Sequence, residues 1–142
     1  MSRYEVLLIR AALLYLVATG LLGVLFFVYP VLTPYFRVTH VHLGLVGFFL
    51  SMVMGVAYWL MPRPKRLRQE GLEAVTFYLL NAGLLLRLVA EPWWRYTGDA
   101  LPRALSVTSG LLLLAAMIVF AYAMQARVKT KEAILELRQG KR

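Results

Sequence analysis

Four long apolar blocks dominate this sequence of 142 residues. Positions 11–36, 38–62 and 104–126 hold no Lys, Arg, Asp or Glu, and positions 72–90 hold one Glu and one Arg. A helix needs about 20 mostly apolar residues to cross the hydrocarbon of a bilayer, and each block has that length. A soluble chain of this size has no polar shell that could bury four such helices. The blocks therefore predict an all-α membrane protein.

The spacing of the blocks predicts one membrane domain, residues 1–126, built as an up-down bundle of four transmembrane helices. We place the spans at about 6–29, 40–61, 71–91 and 103–126. Prolines lie at the block boundaries and are expected to stop the helices: Pro30, Pro34, Pro62, Pro64, Pro92 and Pro102. Residues 127–142 are expected to continue the fourth helix as a basic amphipathic tail on anionic lipid. A frayed basic tail is the alternative.

The basic residues are distributed unequally between the two sides of the predicted membrane. The chain has 16 Lys and Arg against seven Asp and Glu, a formal net charge of +9. Twelve of the 16 basic residues lie near the termini or in the loop between the second and third spans, which is one side of the membrane. Arg37, Arg95 and Arg103 lie on the other side. The positive-inside rule then predicts cytoplasmic N and C termini. Because the charges flank spans and form no single patch, a nucleic-acid partner is not expected.

The second span carries a stripe of small residues, Gly44, Gly47, Ser51 and Gly55. At 100° per residue these positions share one narrow face, which lets another helix or a flat ligand approach closely. His40 falls on that face and His42 on the opposite one. In one interpretation the stripe is ordinary helix packing and the histidines are interfacial residues. In the other, His40 is a metal ligand and the glycines leave space for a haem macrocycle.

The segment 40–48 (HVHLGLVGF), with the following residues 54–63 (MGVAYWLMPR), resembles the second helix of subunit I of the haem–copper oxidases. It is most similar to the C-type oxidases, the nitric oxide reductases and the smaller NnrS-type membrane proteins. In these relatives a histidine seven residues before a Gly-aromatic pair binds low-spin haem b. His40 stands seven residues before Gly47-Phe48. The resemblance therefore implies His40 as an axial ligand, with His42, Gly44 and Gly47 beside the cofactor.

The histidine and cysteine counts limit what such a haem could do. The chain has two His and no Cys. The oxidase family needs several further histidines for its second haem ligand and its copper, so respiratory oxidase chemistry is excluded and the chain is not expected to be an enzyme. Without Cys the haem is non-covalent. His40 and His42 point in different directions, so a bis-His site would need a second protomer.

One histidine per haem leaves the sixth iron position open or weakly held, and an open position favours binding of NO, CO or O₂. We therefore expect gas sensing, nitric-oxide stress handling or single-electron transfer in the cytoplasmic membrane of a bacterium or archaeon. Four short helices enclose a macrocycle poorly, so we also expect a homo-oligomer, either a dimer or a trimer.

Polar residues of the third span are expected at the depth of His40. Arg87 and Glu91 stand four residues apart and so share a helix face. They form either a mutual ion pair or, in the functional interpretation, a site in which the Arg87 guanidinium neutralises a haem propionate. Arg37 is a further candidate for contact with the cofactor.

Two other functions compete with haem binding. The chain could be a haem-free accessory subunit that uses the family's helix only to dock onto a large respiratory complex. It could also be a small transporter or channel, but no span carries the set of charges that is typical of a transport pathway.

Overall fold

The computed structural model describes residues 2–61, 70–125 and 127–128, and within these ranges the secondary structure is helical with no strand. Four helices are long and apolar enough to cross a membrane: Arg3–Val28, Pro30–Leu60, Glu70–Thr97 and Ala100–Gln125. The prediction of an all-helical chain with four helices of membrane-spanning length is confirmed.

Three of the four long helices are continuous, and the second is composite. The continuous helices are α1 (Arg3–Val28), α4 (Glu70–Thr97) and α5 (Ala100–Gln125). The composite helix consists of a 3-10 turn (Pro30–Leu32), α2 (Thr33–His42), a π-helical segment (Leu43–Leu50) and α3 (Ser51–Leu60). We call the end of the molecule that holds Pro30 and Thr97 the site end, and the opposite end the termini end.

The prolines stop the helices only in part as predicted. The α1 helix ends at Val28, and its C-cap Tyr29 directly precedes Pro30, so Pro30 does mark a helix end. The composite helix begins at Pro30 and not near residue 40, and Pro30 and Pro34 lie in its first turns. Proline is well tolerated there because the first N–H groups of a helix have no intrahelical acceptor. Pro102 lies near the start of α5 for the same reason. Pro62 and Pro64 fall outside the described residues.

Pro92 was expected to stop the third helix, and this was wrong, because α4 continues through Pro92 to Thr97. The proline ring is buried, and Arg95 beyond it forms an ion pair with Glu91 across the same turn. These tertiary and side-chain contacts compensate for the one backbone hydrogen bond that proline removes. The helix then ends at Gly98, whose φ of +75° is accessible to glycine at little cost.

Consecutive long helices run antiparallel, as an up-down arrangement requires. Gly55 of the composite helix packs on Ile9 of α1 near the termini end, and His40 approaches Gly23 of α1 near the site end. The α4 and α5 helices pair along most of their lengths, with Gly83 against Leu113 midway. The α4 helix also contacts the composite helix and α1, so it lies at the centre of the structure.

The α1 helix leaves most of its apolar surface uncovered by the rest of the chain. Only 6% of its most apolar 18-residue window is buried, and Leu14 is 72% and Phe27 89% exposed. Contiguous exposed apolar surface of this extent is unfavourable in water but is the expected surface of a helix that faces lipid or another subunit. The fold thus fits the apolar environment that the sequence predicts.

A fully buried ion pair closes the termini end. The Arg127 guanidinium lies 2.8 Å from a Glu73 carboxylate oxygen, and both side chains are 0% exposed. Ser2 donates its hydroxyl to the same carboxylate, and Arg127 donates to the Tyr58 carbonyl oxygen at 2.7 Å. Arg127 was expected to begin the basic tail as a continuation of the helix. It lies instead in a turn after α5, with its side chain inside the protein. Residues 129–142 lie outside the described residues.

Candidate ligand-binding site

The two candidate histidines lie immediately before the π-helical segment, Leu43–Leu50. Backbone hydrogen bonds in a π-helix join residues five apart, so each turn takes more residues than in an α-helix. The Ser51 hydroxyl also donates to the Val46 carbonyl oxygen, five residues earlier, at 3.2 Å. Positions calculated at 100° per residue therefore shift along this segment. Such segments occur frequently at functional sites.

The glycine stripe of the composite helix packs against α1. A Cβ atom on Gly47 would lie 2.8 Å from Cγ of Tyr15, and one on Gly44 would lie 3.4 Å from Cγ2 of Thr19. The space that the small residues create is therefore filled by α1 side chains. Because of this packing, a haem macrocycle does not fit beside Gly44 and Gly47 within one chain.

His40 lies on the same side as the glycines and faces α1. Its Cε1 atom is 3.4 Å from the position of a Cβ atom on Gly23, and its ring meets the Phe26 ring edge-on at a centroid distance of 5.4 Å. The Nδ1 atom is buried and has no hydrogen-bond partner among the described residues. A buried imidazole nitrogen without a partner is energetically costly, which is unusual in a residue that only packs.

His42 lies on the opposite face and approaches α4. Its Nδ1 atom is 2.9 Å from the Val38 carbonyl oxygen and 3.9 Å from a Glu91 carboxylate oxygen. Because a carbonyl oxygen only accepts hydrogen bonds, Nδ1 carries the proton, and in the neutral ring Nε2 keeps its lone pair. Metal-binding histidines are usually oriented in this way, by an N–H bond from the second ring nitrogen to a carbonyl or carboxylate. His42 therefore has the tautomer of a metal ligand.

Glu91 is the centre of a buried charge cluster at the site end. Its side chain is 5% exposed, and Arg87 and Arg95 each approach it to 3.3 Å. Since a carboxylate removed from water is stable only when it is paired and hydrogen-bonded, the two guanidinium groups account for its burial. The predicted Arg87–Glu91 ion pair is confirmed.

Arg87 is also held by α5. Its Nε atom donates to the Ser109 hydroxyl at 2.8 Å, and one terminal nitrogen donates to the Ser106 carbonyl oxygen at 3.0 Å. A Cβ atom on Gly110 would lie 3.1 Å from the same guanidinium group, so the glycine leaves the space that the arginine occupies. In the sequence Ser106 and Gly110 show only the small side chains that are typical of helix packing. The signal that could have revealed their role is an arginine inside a span, which requires polar partners on a neighbouring helix.

The structure groups the predicted site residues differently from the sequence interpretation. We expected His40, Arg87 and Glu91 at one depth, and it is His42 that lies beside Glu91, while His40 faces away toward α1. Arg37 forms no ion pair with Glu91 among the described residues, and it lines a pocket together with Arg95. The helical spacing correctly separates the two histidines, but it does not indicate which helix packs on which face.

Among the described residues, no three His, Asp or Glu side chains come together in a group that could hold a bare metal ion. Comparison with protein-family models, with curated proteins and with solved structures finds no match to the chain.

Proposed function

We propose that the chain is a four-span membrane protein with both termini in the cytoplasm, so that the site end lies at the outer face. The four apolar helices and the exposed apolar surface of α1 support membrane insertion. The excess of basic residues near the termini supports the orientation. The native sequence has no Cys, which makes single-cysteine labelling a direct test.

The orientation is tested with Asp99→Cys, between α4 and α5, and Lys141→Cys, near the C terminus. In intact cells, a membrane-impermeant maleimide should label the Asp99→Cys variant and spare the Lys141→Cys variant until the membrane is permeabilised. If only Lys141→Cys is labelled in intact cells, the topology is the reverse of the one proposed.

We propose further that the protein binds one haem b per chain at the site end, with His42 as the axial ligand. The observation that carries this proposal is the hydrogen bond from His42 Nδ1 to the Val38 carbonyl oxygen, which leaves Nε2 free to donate its lone pair. The resemblance of the second span selects His40, whose buried Nδ1 lacks a partner. The packing of α1 against Gly44 and Gly47 argues for His42, because α1 side chains fill the helix face on which His40 also lies.

A haem held by one histidine would supply an iron with a sixth position open to NO, CO or O₂, or a one-electron carrier. The chain's own groups would orient the ligand: the Val38 carbonyl fixes the ring tautomer, and Glu91 stands beside the same nitrogen. The propionate contact expected of Arg87 stays a prediction, since Ser109, Ser106 and Glu91 already accept hydrogen bonds from its guanidinium.

The test is the visible spectrum of purified protein supplied with haem, recorded with and without CO or NO. The wild-type chain should show a Soret band that shifts on addition of the gas. His42→Ala should lose most of this band and His40→Ala should keep it, and each variant is the matched control of the other because they differ by two positions on one helix. The opposite result would restore His40 as the ligand. A wild-type chain without a Soret band would end the haem proposal.

A haem-free accessory subunit remains the second candidate, and the filled glycine stripe favours it. Tyr15 and Thr19 occupy the space beside the glycines, so the helices pack there without a cofactor. This function predicts stoichiometric co-purification with a respiratory complex and no haem in the isolated chain. A haem-loaded, monodisperse particle isolated alone argues against it, and its mass in detergent also tests the expected dimer or trimer.

A further inference from the structure

A pocket of about 550 Å³ opens at the site end between the start of α2 and the end of α4. Its walls are formed by Pro30, Thr33, Pro34, Arg37, Val38 and Arg95. One wall is thus the first turn of the composite helix, where the helix dipole is positive. The other is the last turn of α4, which contributes Arg95, the second arginine of the lining.

The positive charge of the pocket is not fully compensated by neighbouring carboxylates. Among the residues that the structure describes, Arg37 forms no ion pair or side-chain hydrogen bond, and Arg95 shares its one carboxylate, Glu91, with Arg87. The nearby Asp99 pairs with neither pocket arginine within the same residues. Arg87 and Arg95 thus share the one buried carboxylate, and Arg37, which lines the pocket with Arg95, is the guanidinium available to an anion.

The lining also has groups that suit a phosphate ester. A guanidinium presents two parallel N–H donors to the oxygens of a phosphate, and two arginines can hold it from both sides. The Thr33 hydroxyl makes no hydrogen bond to another described residue, so it can donate to the same anion. The remaining walls, Pro30, Pro34 and Val38, are apolar and would contact the glycerol part of a lipid.

We propose that this pocket is a phosphate-binding site, occupied by the headgroup phosphate of an anionic phospholipid. The lipid source rests on the proposed membrane topology, because it needs the site end at a leaflet surface. The phosphate chemistry rests only on the pocket and its arginines. No histidine takes part, so the site and the haem proposal can fail independently.

The test is native mass spectrometry of the full-length protein in detergent, purified without added haem and titrated with phosphatidylglycerol. Dioleoylglycerol, which lacks the phosphate, and inorganic phosphate are titrated separately. Phosphatidylglycerol should bind, and dioleoylglycerol should bind at least tenfold more weakly. The Arg37→Gln variant should lose about tenfold in affinity for phosphatidylglycerol, the effect of losing one charge-assisted hydrogen bond. His42→Ala should bind the lipid as the wild type does.

Arg103→Gln is the matched control, because Arg103 is an exposed arginine at the same end that does not line the pocket. Its lipid affinity should not change. Should Arg37→Gln fail to fold, Arg37→Lys keeps the charge without the paired donors and should show an intermediate loss.

Four results would overturn the proposal in whole or in part. Equal binding of phosphatidylglycerol and dioleoylglycerol, or unchanged binding by Arg37→Gln, would remove the phosphate site. Binding of inorganic phosphate that depends on Arg37, without lipid binding, would keep the phosphate chemistry and reject the lipid source. Loss of haem from Arg37→Gln when haem is supplied would assign this guanidinium to a propionate instead.

Discussion

Arg127 and Glu73 form an ion pair of 2.8 Å in which neither side chain is exposed. The pair joins the end of α5 to the first turns of α4, and the Ser2 hydroxyl and the Tyr58 carbonyl complete its hydrogen bonds. Two charges buried at this level are stable only while both are present, because either one alone would keep the desolvation cost without the attraction.

Replacing Arg127 by Met should therefore destabilise the protein strongly. Breaking a buried pair by removing one partner costs about 3–5 kcal/mol, and the loss should appear as a lower Tm in detergent. The double variant Glu73→Gln/Arg127→Met should recover part of the loss, because it leaves no unpaired charge. Arg10→Met, at an exposed position, is the control and should unfold as the wild type does. An unchanged Tm in Arg127→Met would show that the pair does not hold this end.

Replacing Gly47 by Ala should destabilise the contact between α1 and the composite helix. The added Cβ would lie 2.8 Å from Cγ of Tyr15 and 3.0 Å from Cδ2 of Leu84, so one of the helices has to move. Overpacking of this kind costs about 1–3 kcal/mol. Gly20→Ala provides the opposite case, since nothing lies within 4 Å of that position and Ala is the better helix former. In thermal unfolding, Gly47→Ala should therefore have a lower Tm than the wild type. Gly20→Ala should have an equal or higher Tm.

Removing the Glu91 carboxylate should disrupt the site end. In Glu91→Gln, Arg87 and Arg95 lose their shared counter-ion while Arg87 stays partly buried. We expect a loss of about 3–5 kcal/mol, the usual effect of removing one member of a buried charge pair. The exposed Asp99→Asn variant removes an acidic group at the same end and should be neutral. Equal thermal stability of the two variants would show that Glu91 is not needed for folding.

The side-chain hydrogen bond between α1 and α4 should contribute modestly to the free energy of unfolding. The Tyr15 hydroxyl donates to the Asn81 side-chain oxygen at 2.7 Å, and the Asn81 amide donates to the Phe77 carbonyl at 2.8 Å. Side-chain hydrogen bonds between membrane helices average about 0.6 kcal/mol, so Tyr15→Phe should lower stability by that order. The exposed Tyr122→Phe should have no effect. A loss of several kcal/mol in Tyr15→Phe would mean that Asn81 has no alternative partner.

The four helices follow from local sequence properties. Long apolar runs, and a capping box formed by Ser2 and Glu5 at the first helix, depend on neighbouring residues and can be interpreted without a fold. The proline positions are harder to interpret from the sequence, because proline is tolerated both just after one helix and in the first turn of the next, as Pro30 is between α1 and the composite helix. Pro92 lies inside α4, and only the packing around it determines that the helix continues to Thr97.

The opposite directions of His40 and His42 follow from their spacing, because residues two apart lie on different faces of an α-helix and of a π-helix. The sequence by itself also determined that Arg87 and Glu91 would share a face, because residues four apart are neighbours on an α-helix, and in the structure they form an ion pair. Only the tertiary structure decided that α1 fills the glycine stripe and that α4 brings Glu91 to His42. These contacts join residues far apart in the chain, and they depend on which helix faces pack together, which the periodicity of a single helix does not encode.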